Sequence, residues 1–199
     1  MKKLLLLTCM ALASLAQAVT YTWSNHEGTA SRWGGNFDFT TSISLSFAAD
    51  ATVTSTFPTS GSVALTQILI AKRDNNAYTL PTSVTLCDQT GTVIATTTAV
   101  TSPGNIVTTM SNGNYYTRGA LALIFDNAVV NVNSTYLLKA YDANNNAITF
   151  GTSVVRNETN TAWIPSMEIT ATSIDVPEPT VLALIALGIG GALLRRNYL

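Results

Sequence analysis

The sequence predicts an all-β protein, an antiparallel β-sandwich of jelly-roll type, and three observations carry that expectation. Apolar and polar residues alternate with a period of two in many short stretches. Turn-forming residues separate those stretches at close spacing. Helical periodicity is nearly absent between Val19 and Val176.

Taken in chain order, Val19, Tyr21 and Trp23 alternate with Thr20 and Thr22. In Ser42–Phe47 the residues Ile43, Leu45 and Phe47 share one face while three serines share the other, the pattern of a half-buried strand. Further strands are expected at Ala51–Phe57, Leu65–Lys72, Ser83–Cys87, Val93–Ala99, Ile106–Met110, Leu121–Phe125, Val129–Val132, Thr135–Tyr141, Ala147–Phe150 and Trp163–Ala171. Threonine runs such as Thr96-Thr97-Thr98 favour the same state, because branched side chains pack well on a pleated surface. Asp88-Gln89-Thr90-Gly91 sets Asp and Gly at the ends of a tight turn, and Asn112-Gly113 is a hairpin signal. Asp142–Asn146 separates two more strands, so that Val84–Ala95 and Tyr136–Phe150 look alike as strand-Asp-turn-strand units. Asn25–Gly35, rich in glycine, reads as a loop.

The two ends differ from this body. Lys2-Lys3, the apolar stretch Leu4–Leu15 and the small-x-small sequence Ala16-Gln17-Ala18 compose a secretory signal, with signal peptidase expected to cut after Ala18. As a helix that apolar stretch rises only about 18 Å, short of a membrane's roughly 30 Å hydrocarbon core. At the other end Pro177 and Pro179 bar a helix from starting earlier. From Thr180 to Leu194 every residue is apolar, Gly or Thr, about 22 Å as a helix. Arg195-Arg196 closes it, and arginines beside a membrane segment favour the cytoplasmic side. The body then lies outside. The organisation expected is a signal peptide at 1–18, an extracytoplasmic sandwich at 19–175 and an anchoring tail with a single apolar helix at 176–199.

Val176-Pro177-Glu178-Pro179, one apolar helix and two closing arginines resemble the PEP-CTERM sorting tail of Gram-negative bacteria. The resemblance covers about residues 176–199. It implies that a membrane-embedded exosortase reads Pro177, Glu178 and Pro179 and processes the tail, with Arg195 and Arg196 as the retention end. It further implies transient anchoring in the inner membrane, and a setting in which exopolysaccharide or biofilm matrix is made.

Composition excludes other functions. The stretch 19–175 holds six basic and ten acidic residues, and Lys72-Arg73 is its only adjacent basic pair. A nucleic-acid surface needs clustered cations, so none is expected. Cys87 is the only cysteine of the body and cannot close an intramolecular bridge; it reads as a small buried strand residue. His26 is the only histidine, it has no accompanying G-x-S-x-G, and it reads as a loop residue. With one His and one body Cys, no zinc site of the usual kind forms. Asp38, Asp50, Asp74, Asp88, Asp126 and Asp142 are spread one per loop or strand end, with no pair placed for glycoside hydrolysis. Asp142-x-Asn144-x-Asn146 begins like a calcium loop, but Ala147 stands where glycine is needed and Ser153 where a bidentate Glu belongs. Structural calcium is therefore not indicated, and no cofactor or catalytic residue is expected. Tyr115-Tyr116 and Trp33 are the candidates for carbohydrate contact, since an exposed ring beside Asn and Asp suits a sugar face. The function expected is non-enzymatic: a structural or adhesive cell-surface or matrix protein associated with exopolysaccharide. The alternative is a carbohydrate-binding module of sandwich type.

Overall fold

The computed structural model describes residues 18–25, 31–39, 42–47, 53–72, 80–109, 115–157 and 164–174. Their regular structure is all strand. In chain order these are β1 (Thr20–Ser24), β2 (Ser31–Phe39), β3 (Ile43–Ser46), β4 (Thr54–Ser55), β5 (Ser62–Ala71), β6 (Ser83–Cys87) and β7 (Val93–Thr96). There follow β8 (Ala99–Thr101), β9 (Asn105–Thr109), β10 (Tyr115–Asn131), β11 (Thr135–Tyr141), β12 (Phe150–Asn157), β13 (Ile164–Pro165) and β14 (Met167–Ser173). Thr20–Thr172 form one compact unit, the body. Met1–Val19 and Ser173–Leu199 form a second. Within the second, the Val19 amide donates to Ser173 Oγ (3.0 Å) and the Ser173 amide to the Val19 carbonyl (2.9 Å).

The body is built from antiparallel sheets. One runs β4-β1-β14-β5-β10-β8, with β9 also paired to β10; a second runs β3-β11-β6-β7; a third, smaller one runs β13-β12-β2. Where β5 meets β14, the Thr66 hydroxyl donates to the Thr170 carbonyl (3.0 Å) and the Ala71 amide to the Ser166 carbonyl (2.9 Å), so these strands also run in opposite directions. Four ladders nest inside one another along the chain: β1 with β14, β3 with β11, β5 with β10, and β6 with β7. Each pair surrounds the next in sequence.

Alternation decides which face is buried. On β3, Ile43 and Leu45 point inward and Ser44 and Ser46 outward; on β11, Tyr136, Leu138 and Ala140 point inward. A single apolar cluster joins these side chains to Trp23 of β1, Val63, Leu65, Ile68 and Ile70 of β5, Leu121 and Leu123 of β10, and Ile169 of β14. The first two sheets therefore enclose one core, a sandwich-like arrangement. Ile43, Val84, Leu138 and Ala140 meet Ile70 and Leu123 at its centre. Aromatic packing closes one edge: Phe47 stacks on Phe57 with centroids 5.4 Å apart and tilts against Tyr136 at 5.9 Å. Cys87 is buried on β6, in keeping with its reading as a small core residue. Asn25 ties β1 to the end of β13, its Nδ2 donating to the Pro165 carbonyl and its Oδ1 accepting from the Met167 amide, both at 2.8 Å. Thr152 Oγ1 is buried without a partner, and nothing in the structure explains it.

Several elements differ from expectation. Leu121–Phe125 and Val129–Val132 belong to one strand, β10, interrupted by a bulge between Ile124 and Ala128 where Asn127 adopts a left-handed φ of 49°. The expected strand Val93–Ala99 is two. The Thr97 amide donates to Val84 of the second sheet and the Thr98 amide to Ile124 of the first, so the chain changes sheets between adjacent residues. The expected strand Ala147–Phe150 moves later: Ala147 forms an isolated bridge to Tyr141, and the strand proper is β12. Ala51–Phe57 shrinks to the two residues of β4. The glycine-rich stretch expected to be a loop contains most of a strand, β2, which pairs along its length with β12.

Candidate functional site

Both chain exits of the body leave from one pole. Thr20 and Thr172 are opposed in the β1–β14 ladder, at its outer end. At the same end Ser62 faces Asn131, and the chain turns from β10 into β11 through Asn131–Ser134. The Tyr136 hydroxyl braces that turn, accepting from the Asn131 amide at 2.7 Å, while the Asn133 amide donates to Asn131 Oδ1 at 2.9 Å. Leu137 of β11 faces Cys87 of β6, which brings the turn after Cys87 alongside. Asp88, Gln89, Thr90 and Ile94 then face Asn133, Ser134, Thr135 and Tyr136 across an open groove of about 530 Å³. Nothing in the local sequence marks this groove, because it exists only once β6 and β11 are paired.

The turn at Asp88 shows why aspartate stands there. Its Oδ1 accepts from the Thr90 hydroxyl (2.6 Å), the Thr90 amide (2.9 Å) and the Thr92 amide (2.9 Å). The Gly91 amide donates to the Asp88 carbonyl at 3.0 Å, and Gly91 has a φ of 91°, open to glycine and costly for a residue with a Cβ. Asp142 repeats the design at the opposite pole. Its Oδ1 accepts from the Asn144 amide (2.9 Å) and the Asn146 amide (2.8 Å), its Oδ2 accepts from Asn146 Nδ2 (3.2 Å), and Asn145 takes the left-handed position with φ 62°. The resemblance between the two units seen in the sequence is thus a shared turn.

Hydrogen bonds to the charged form lower both carboxyls below the usual aspartate range. For Asp88 the Thr90 hydroxyl contributes most, then the Thr92 amide. For Asp142 the Asn146 amide leads, followed by its side chain. A folded-state pKa below the unfolded value of about 3.9 gives stability that is present above that pH and lost as pH falls through the folded pKa. The double variant Asp88→Asn/Asp142→Asn is therefore expected to melt below wild type at pH 7, with the two melting curves converging as the pH falls below the ordinary aspartate value of about 3.9. Calorimetry across that range checks it; a constant offset at every pH would exclude these carboxylates as its source.

The candidate carbohydrate residues fall elsewhere. Trp33 lies on β2, opposite Val155, and not in a loop: the register shifts between Val154, which faces Gly35, and Val155, so Gly34 is taken up in a bulge and the strand continues. Tyr115 and Tyr116 begin β10, opposite Thr109 and Thr108 of β9. The ladders therefore place Trp33 on the third sheet and the tyrosines on the β9–β10 hairpin, at the pole away from the chain exits. Asp38 faces Gly151 on the third sheet, and Asp126 stands in the β10 bulge, where it is exposed. No group of three His, Cys, Asp or Glu side chains that could hold a metal occurs among the described residues. His26, Asp50 and Asp74 lie outside the described residues.

Of the processing sites, Ala18 is exposed one residue before Val19, while Ala16, Pro177, Glu178, Pro179, Arg195 and Arg196 lie outside the described residues. Residues 175–197 match the family model of the PEP-CTERM protein-sorting motif. No curated protein and no solved structure matches the chain significantly. The match agrees with the resemblance read from Val176-Pro177-Glu178-Pro179 and the closing arginines, one residue earlier at its start. It implies an exported protein of the cell envelope, sorted through its C-terminal region and subject to exosortase processing.

Proposed function

We propose that this chain is a non-enzymatic surface or matrix component of a Gram-negative envelope, held briefly in the inner membrane by its tail and acting beside exopolysaccharide. The observation that carries the reading is the sorting motif at 175–197, placed directly after the last strand of an antiparallel body. A single histidine in the whole sequence, and aspartates engaged in turns, favour display over catalysis. We read the body as a jelly roll. What supports this is its four nested ladders: a chain folded back on itself as one long antiparallel hairpin and then rolled gives β1-β14-β5-β10 in one sheet and β3-β11-β6-β7 in the other. Such folds serve many functions, so the fold alone assigns none.

A glycan array with the purified 19–176 fragment tests the reading against its rival, a carbohydrate-binding module. A matrix component is expected to show no saturable binding to any single glycan. Saturable binding that survives salt and falls about tenfold or more in Trp33→Ala or Tyr115→Ala, a loss of about 1.4 kcal/mol, would establish the module instead.

A further inference from the structure

Exposed aliphatic side chains gather at the pole from which both chain ends leave. Within the body, the large apolar side chains that stand exposed among the described residues are Leu80, Val93, Ile94 and Val129. Val93 (54% exposed) and Ile94 (40%) open β7 immediately after the Asp88 turn, and Ile94 lines the groove against Asn133–Tyr136. Val129 (56%) faces Ala64, two residues from the Asn131–Ser62 pair that ends its ladder. Only Leu80 lies toward the other pole, beside Thr82, whose amide donates to Tyr141. Single exposed aliphatics need no explanation, but their concentration at one end does.

What covers that end follows from the length of chain beyond it. β14 stops at Ser173, and the apolar run begins at Thr180. Residues 174–179, even fully extended, span at most about 21 Å. While the tail is in the membrane, the pole cannot stand far from the lipid surface. An aliphatic side chain moved from water into the boundary of headgroup and acyl chain gains from burial of its apolar area, and such gains add where several at one end meet the lipid. We propose that this pole is a lipid-contacting surface, on which the body rests against the bilayer as long as its tail is in place. The proposal rests on the tail being a membrane anchor. It deepens that reading by giving the body an orientation: the groove side faces the membrane, and the pole of β2 and the β9–β10 hairpin faces outward.

The test uses residues 19–199, the chain expected after signal cleavage, reconstituted in vesicles of phosphatidylethanolamine and phosphatidylglycerol. An environment-sensitive dye is placed at Ile94→Cys, Val129→Cys or Asn144→Cys in a Cys87→Ala background, and brominated lipid is the quencher. Quenching about twofold or greater is expected at positions 94 and 129, with little at 144 on the opposite turn. In a second form, twelve Gly-Ser residues are inserted between Ile174 and Asp175. If the pole binds lipid, quenching at 94 and 129 persists in the lengthened form and drops in Val93→Asp introduced beside either label. Equal quenching at all three positions, or its loss on lengthening, would overturn the proposal, since tethering alone would then account for the proximity. Failure of the unlabelled chain to float with the vesicles would overturn the anchor reading, and the proposal with it.

Discussion

A chain ending at Val176 is expected in the culture medium, with the ratio of medium to envelope protein raised about tenfold or more. Thr180–Leu194 contains eight Leu, Ile or Val residues. At about 0.3–0.6 kcal/mol each for insertion at a helix centre, they favour the membrane by roughly 2–5 kcal/mol, and each 1.4 kcal/mol is a factor of ten. Arg195 and Arg196 carry the charge expected to hold that end on the cytoplasmic side. Removing residues 177–199 deletes the apolar run, the arginines and all but the first two residues of the matched motif together, while leaving every strand from β1 to β14 intact. Fractionation and immunoblotting measure the ratio. A truncated protein still found in the envelope would mean that the body, and not the tail, decides where the chain resides.

The second large effect is on stability. Leu123→Ala is expected to cost about 2–5 kcal/mol, a large part of the 5–15 kcal/mol typical of a domain. Leu123 is fully buried on β10, and it meets Leu138 of the facing sheet where Ile43, Ile70, Val84 and Ala140 converge. The truncation removes apolar area and leaves a void that branched neighbours on rigid strands fill poorly. Leu138→Ala is expected to cost a similar amount. Because both side chains border the same space from opposite sheets, the double variant should depart from additivity by about 0.5 kcal/mol or more. Urea unfolding of the 19–176 fragment provides all three values. Strict additivity would mean that the two sheets do not share one core there.

How far the sequence specifies this molecule depends on how local the signal is. β3 and β11 were legible because Ile43-Ser44-Leu45-Ser46 and Tyr136–Ala140 alternate cleanly, and one face of each is buried in a common core. The turns at Asp88 and Asp142 were legible because their hydrogen bonds run within five residues. β2 was not. Gly34-Gly35 punctuates the sequence as a loop would, and only pairing with β12, more than a hundred residues later, turns the first glycine into a bulge. The corner at Thr97 and Thr98 was hidden for a related reason: threonine favours strands on either sheet, so composition does not record where the chain crosses over. The pole has the same character. Val93, Ile94 and Val129 lie far apart in sequence, and only the nested ladders bring them to the end where Thr20 meets Thr172. The sorting motif was fully legible, since its residues act as a linear signal.

The measurement that bears most directly on the central claim is the intact mass of the mature protein isolated from its native envelope and medium. Export through the N-terminal signal and processing at the tail predict a chain that starts at Val19 and has lost the apolar run Thr180–Leu194. A mature mass equal to the unprocessed chain, with both Lys2-Lys3 and Arg195-Arg196 still present, would contradict the account.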